Sequence, residues 1–78
     1  MDFEYICEFD NLAYGKCYLI DKKENKYLVY SPFGYLKSYI VCSYMDDMGT
    51  MVGQNFFETL DEAKAFFNKE ASKEKKLR

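Results

Sequence analysis

Short apolar, aromatic-rich runs broken by polar turns fill most of the first 57 positions, and helical spacing takes over only after Glu58. Phe3, Tyr5, Cys7 and Phe9 alternate with Glu4, Ile6 and Glu8. This predicts a half-buried strand over residues 3–9, with a wet, negative outer face that suits a sheet edge. Asn11 to Gly15 reads as a loop and Lys16 to Asp21 as a second strand. After the polar turn at 21–25, Lys26 to Ser31 reads as a third strand, apolar on both faces. Ser31-Pro32-Phe33-Gly34 carries turn chemistry, because Pro32 presets φ at the first corner and Gly34 suits the exit.

The run from Tyr35 to Met45 is long for one strand and invites a bend or a bulge. One parity holds Leu36, Ser38, Ile40, Cys42 and Tyr44 and reads as core. The other holds Tyr35, Lys37, Tyr39, Val41, Ser43 and Met45 and reads as a surface rich in Tyr, Lys and Ser. Asp46 to Gly49 is a turn, and Thr50 to Phe57 is a weaker fifth strand with a possible bulge at Gly53.

The helix has the sharpest signal. Thr59 and Glu62 have capping-box spacing, and Asp61 and Glu62 in the first turn complement the helix dipole. At 100° per residue, Leu60, Ala63, Phe66, Phe67 and Ala71 share one arc, and the stripe then stops except for Leu77. The fold class predicted is α+β: a small antiparallel β-meander of about five strands, with one C-terminal α-helix packed on one sheet face. One domain spans 1–78, with the sheet in 2–57, the helix in 59–72 and a charged helical tail in 73–78.

Composition sharpens this. Eight Tyr and seven Phe among 78 residues are more aromatic side chain than one face of a small sheet needs. Either the sheet is covered on both faces, or one face meets another molecule. Three cysteines, an odd number without a CxxC pair and each inside an apolar run, fit three buried reduced thiols in a cytoplasmic protein better than a disulfide scaffold. No apolar run reaches the length of a membrane span, and the acidic N-terminus does not fit a signal peptide. Net charge is −2 but uneven. Asp2, Glu4, Glu8 and Asp10 make the first ten residues acidic, whereas Lys69, Lys73, Lys75, Lys76 and Arg78 outweigh Glu70 and Glu74 at the other end. Solubility is the plain reading of both.

Candidate chemistry is thin. Tyr44-Met45-Asp46-Asp47 resembles the metal-binding turn of reverse transcriptases. The resemblance covers four residues, and 78 residues do not supply the further carboxylate, the nucleotide pocket and the template groove of a polymerase. Asp-Asp is also ordinary turn chemistry. No histidine is present to activate a cysteine nucleophile, Glu4 and Glu8 read as a solvated face, and no glycine-rich phosphate loop is present. The expectation is a non-enzymatic chain without cofactor or metal.

The expected function is a protein-interaction module that binds a protein partner or a second copy of itself. Its contact surface is placed on an aromatic sheet face (Tyr18, Tyr35, Lys37, Tyr39) or on the acidic loop (Asp46, Asp47). Small, acidic, tyrosine-rich chains resemble accessory proteins of phages and mobile elements, some of which inhibit host enzymes. That resemblance is one of size and composition. Two alternatives stand beside it. One is a sheet binding single-stranded nucleic acid, against which the pI of about 5.0 counts. The other is a structural homodimer.

Overall fold

A computed structural model describes residues 3–24, 26–34, 37–46 and 48–76, with side chains described through Ala71. Five strands, β1 (Cys7–Asn11), β2 (Gly15–Lys23), β3 (Lys26–Tyr30), β4 (Tyr39–Cys42) and β7 (Asn55–Phe57), form one antiparallel sheet in the order β1-β2-β3-β4-β7. A two-stranded ribbon, β5 (Tyr44–Met45) and β6 (Met51–Val52), is inserted between β4 and β7. The chain ends in α1 (Leu60–Lys76). The meander and the C-terminal helix are as the hydrophobic pattern predicts, and the ribbon is an addition.

The helix packs on β3, β4 and β7. The Thr59 hydroxyl accepts the Glu62 backbone N–H at 3.2 Å, which ties down one orphaned donor of the first turn. Ala63, Phe67 and Ala71 are buried, and Ala63 and Phe67 close on Leu28 and Val41, with Leu60, Phe66, Phe57 and Tyr39 packed around them. Lys23 anchors the far end. Its ammonium lies 5.7 Å from the Phe67 ring centroid and donates to Asn68 Oδ1 at 2.9 Å.

The opposite face has its own core of Cys17, Leu19, Val29, Ile40, Cys42 and Met51. The β5–β6 ribbon folds over it as an arm, with Met45 and Met51 inward. Both parities of β4 are therefore core: Ile40 and Cys42 under the arm, Val41 and Tyr39 under the helix. The reading that made Val41 a surface position is corrected, because a face with a cover of its own does not need polar residues.

Two other expectations change. Pairing in β1 begins at Cys7 and runs on to Asn11, while Phe3 and Tyr5 turn across the helix side to meet Tyr30 and Tyr18. The long run from 35 also does not stay in one sheet. The chain leaves the sheet at Ser43, whose N–H donates to Val52 O at 2.9 Å beside Gly53, a glycine at φ +69°. That break shifts the alternation by one residue, so Met45 faces the core and Tyr44 faces solvent, the reverse of strict parity. Leu36 and Leu77 lie outside the described residues.

Candidate interaction surface

The strand register lines up Glu8, Tyr18, Tyr30, Tyr39 and Phe57 as cross-strand partners, one from each strand of the main sheet. Side chains paired this way share a face, so the helix side carries a continuous aromatic row. Ring centroids are 6.0 Å apart for Tyr18–Tyr30 and 5.1 Å for Tyr30–Tyr39, and Phe66 of the helix lies 5.2 Å from Phe57. Phe3 packs edge-on against Tyr30 at 5.1 Å, and Tyr5 meets Tyr18 at 5.0 Å. The row ends in a polar clasp. The Tyr5 hydroxyl and the Lys16 ammonium both donate to the Glu8 carboxylate, at 3.1 and 3.2 Å. The Lys16 hydrogen bond, followed by that from Tyr5, holds the Glu8 carboxyl below its ordinary range. The bond to Glu8 raises the Tyr5 hydroxyl and the Lys16 ammonium.

Tyr18 and Tyr39 are thus half-buried members of a ring-to-ring stack, with Tyr39 also packed against the helix core. Lys37 is exposed. Tyr35 and Asp47 lie outside the described residues. Asp46 is a turn anchor. Its Oδ1 accepts the backbone N–H groups of Met48 and Thr50, both at 2.9 Å, which is the self-capping that favours aspartate in turns. Among the six residues expected to bind a partner, the structure therefore brings Tyr18 and Tyr39 into one row and sets Asp46 apart from them in the arm.

The three thiols differ. The expectation of three buried thiols is corrected at Cys7, which is exposed on the edge strand; Cys17 and Cys42 are buried under the arm. Burial pushes the Cys42 thiol up to about 11, with the Tyr44 backbone working weakly the other way. Burial raises Cys17 too, opposed by the Ser31 hydroxyl. Neither is poised as a thiolate, which a nucleophile or metal ligand must be. Among the described residues no group of three or more acidic, cysteine or histidine side chains is placed to hold a metal ion, and no helix is long and apolar enough to cross a membrane.

The largest exposed apolar side chains lie elsewhere. Leu12 is 98 % exposed in the β1–β2 turn, Phe33 72 % in the β3–β4 loop and Met48 75 % at the tip of the arm. Antiparallel pairing puts the first two loops at the same end of the sheet. Asn11 Nδ2 donates to Gly49 O at 2.7 Å and so brings the arm's tip to the first turn. At Gly15, an added Cβ would lie 3.9 Å from Phe33 Cβ, which joins the second loop to the first. A second bond, Tyr14 Oη to Gln54 Oε1 at 2.8 Å, fixes the base of the arm. Between the first turn and the arm lies an open hollow of about 240 Å³, lined by Leu12, Tyr14, Thr50, Met51 and Gln54 among others.

Sequence reasoning missed these three positions because it sought tyrosines on strands and carboxylates in loops, and not apolar side chains in turns. A local signal was present: each is a lone large hydrophobe between turn-forming neighbours, as in Asn11-Leu12-Ala13, Pro32-Phe33-Gly34 and Asp47-Met48-Gly49.

The site and fold together define a small α+β domain with an apolar loop end. The chain matches no known protein-family model, no curated protein and no solved structure.

Proposed function

We propose that this chain is a small non-enzymatic protein-interaction module that grips its target with the loop end of the sheet. One observation carries the reading: three separate turns, brought to one end by the Asn11–Gly49 bond and the Gly15–Phe33 approach, each hold out an exposed large hydrophobe. Single exposed hydrophobes are ordinary, but three converging beside a hollow make the kind of patch that marks an interaction site. The aromatic row is weaker support, since its rings spend their faces on each other and on the helix. In its sharper form the module is an inhibitor of a host protein, as in small acidic proteins of phages and mobile elements.

The test is capture from the native host's lysate with the wild type, Phe33→Ser and Tyr18→Ser, each checked for an unchanged thermal melt. The reading expects one set of proteins to be retained by the wild type and Tyr18→Ser and lost by Phe33→Ser. Retention by Phe33→Ser with loss by Tyr18→Ser would move the contact surface back to the sheet face.

A further inference from the structure

The loop end is acidic as well as apolar. Asp10 stands exposed at the end of β1, and Asp46 anchors the arm's turn. Glu58, Asp61 and Glu62 are exposed where β7 hands over to the helix, at the same end, because Phe57 pairs with Tyr39 and Tyr39 with Tyr30 at the mouth of the β3–β4 loop. Among the described residues, Lys37 stands against these five carboxylates, for a local net of −4; Lys16 and Glu8 neutralise each other in their ion pair. The other end is opposite in kind. Lys22, Lys23 and Lys26 outnumber Asp21 and Glu24 around the β2–β3 turn, and the helix runs past Asn68, which Lys23 holds, toward its lysine-rich last turns. The chain thus has an acidic, apolar-tipped pole and a basic pole.

We infer that the loop end docks a protein surface that offers an apolar stripe flanked by lysine and arginine. This rests on the reading of the chain as an interaction module and names the chemistry of its partner. Charge complementarity decides among occupants. A second copy meeting this end symmetrically would set −4 against −4 at short range, a like-charge contact that opposes docking. An anionic lipid surface is repelled for the same reason. A basic-rimmed partner gains from both features: Leu12, Phe33 and Met48 pack on its apolar stripe, while the carboxylates steer it and pair at the rim, where water and salt still screen them.

Two synthetic helical peptides test this on the full chain, one with leucine and lysine faces and one with leucine and glutamate faces. Binding is read by calorimetry, alongside flotation with phosphatidylcholine and phosphatidylglycerol vesicles and light scattering of the protein alone. The expected result is binding to the leucine–lysine peptide only, at least tenfold weaker in Leu12→Ser/Met48→Ser. A loss of about fivefold or more is expected in Asp10→Asn/Glu58→Gln, and again on raising salt from about 50 to 500 mM. Equal binding of both peptides, unchanged affinity in either double variant, vesicle binding that needs Leu12 and Met48, or self-association through this end would each overturn it. If Phe33→Ser loses the captured lysate proteins while the peptides show no preference for lysine, the interaction module stands and only its basic-rimmed partner falls.

Discussion

The two faces of the sheet are closed by different means. On one, a single helix lays a continuous stripe over Leu28 and Val41 and needs only Phe67 and Ala63 at its centre. On the other, an arm of two strands with two residues each covers a wider core of Cys17, Leu19, Val29, Ile40, Cys42 and Met51. The helix satisfies its own backbone and can be read as a unit. The arm cannot stand alone, since a two-stranded ribbon this short is not stable in water. It is held by a few tertiary bonds: Asn11 to Gly49, Tyr14 to Gln54, and Lys26 Nζ to Ser43 Oγ at 3.0 Å. A small domain with little surface to bury gains from closing both faces. The same arm carries Met48 to the loop end.

The largest effect is expected under the helix. Phe67→Ala removes the biggest fully buried side chain and should cost about 3–5 kcal/mol, enough to unfold much of a marginal domain. A urea melt shifted by less than about 1 kcal/mol would mean that the helix is not the principal cover of its face. On the arm side, Gly49→Ala should cost about 2 kcal/mol or more. Gly49 sits at φ +83°, and an added Cβ would lie 2.6 Å from Asp10 O and 2.9 Å from the Phe9 ring. Its signature should be local, loosening the arm before the helix, which residue-resolved hydrogen exchange can show.

How far each face could be read from sequence follows from the same difference. Apolar runs separated by turn residues and one amphipathic stripe placed the meander and the helix; Leu60, Ala63, Phe66, Phe67 and Ala71 repeat a spacing that only a helix brings together. The arm left no such trace. Tyr44–Met45 and Met51–Val52 are too short to display a period, and the parity shift at Ser43 depends on its pairing with Val52, a long-range fact. For the same reason Tyr39 and Val41 read as a surface. The aromatic excess did pose the right alternative, a sheet covered twice or a face left for a partner, and the covered sheet is what the fold adopts. The loop end needed three turns distant in sequence to converge, which no local pattern encodes.

A smaller effect separates the faces by pH. In the unfolded chain the Cys42 thiol ionises at its ordinary value of about 8.5, whereas in the folded protein burial holds it protonated to about 11. The folded state therefore keeps a proton that the unfolded chain has released. Its contribution is whole below pH about 8.5 and is lost progressively as pH rises toward 11. The loss should be about 3 kcal/mol, with Cys17 adding in the same direction. Denaturation curves across that range should fall less steeply for Cys42→Ala than for the wild type. Identical slopes would show that the arm does not exclude water from this thiol.

The most direct test of the doubly covered sheet is a maleimide pulse on the native protein, read by mass spectrometry at each cysteine. Exposed Cys7 should label at once. Cys17 and Cys42 should label at least about a hundredfold more slowly, and Gly49→Ala should speed both by loosening the arm. Labelling of Cys42 at the rate of Cys7 in the folded wild type would mean that the arm does not cover the sheet, and that this face is open to a partner after all.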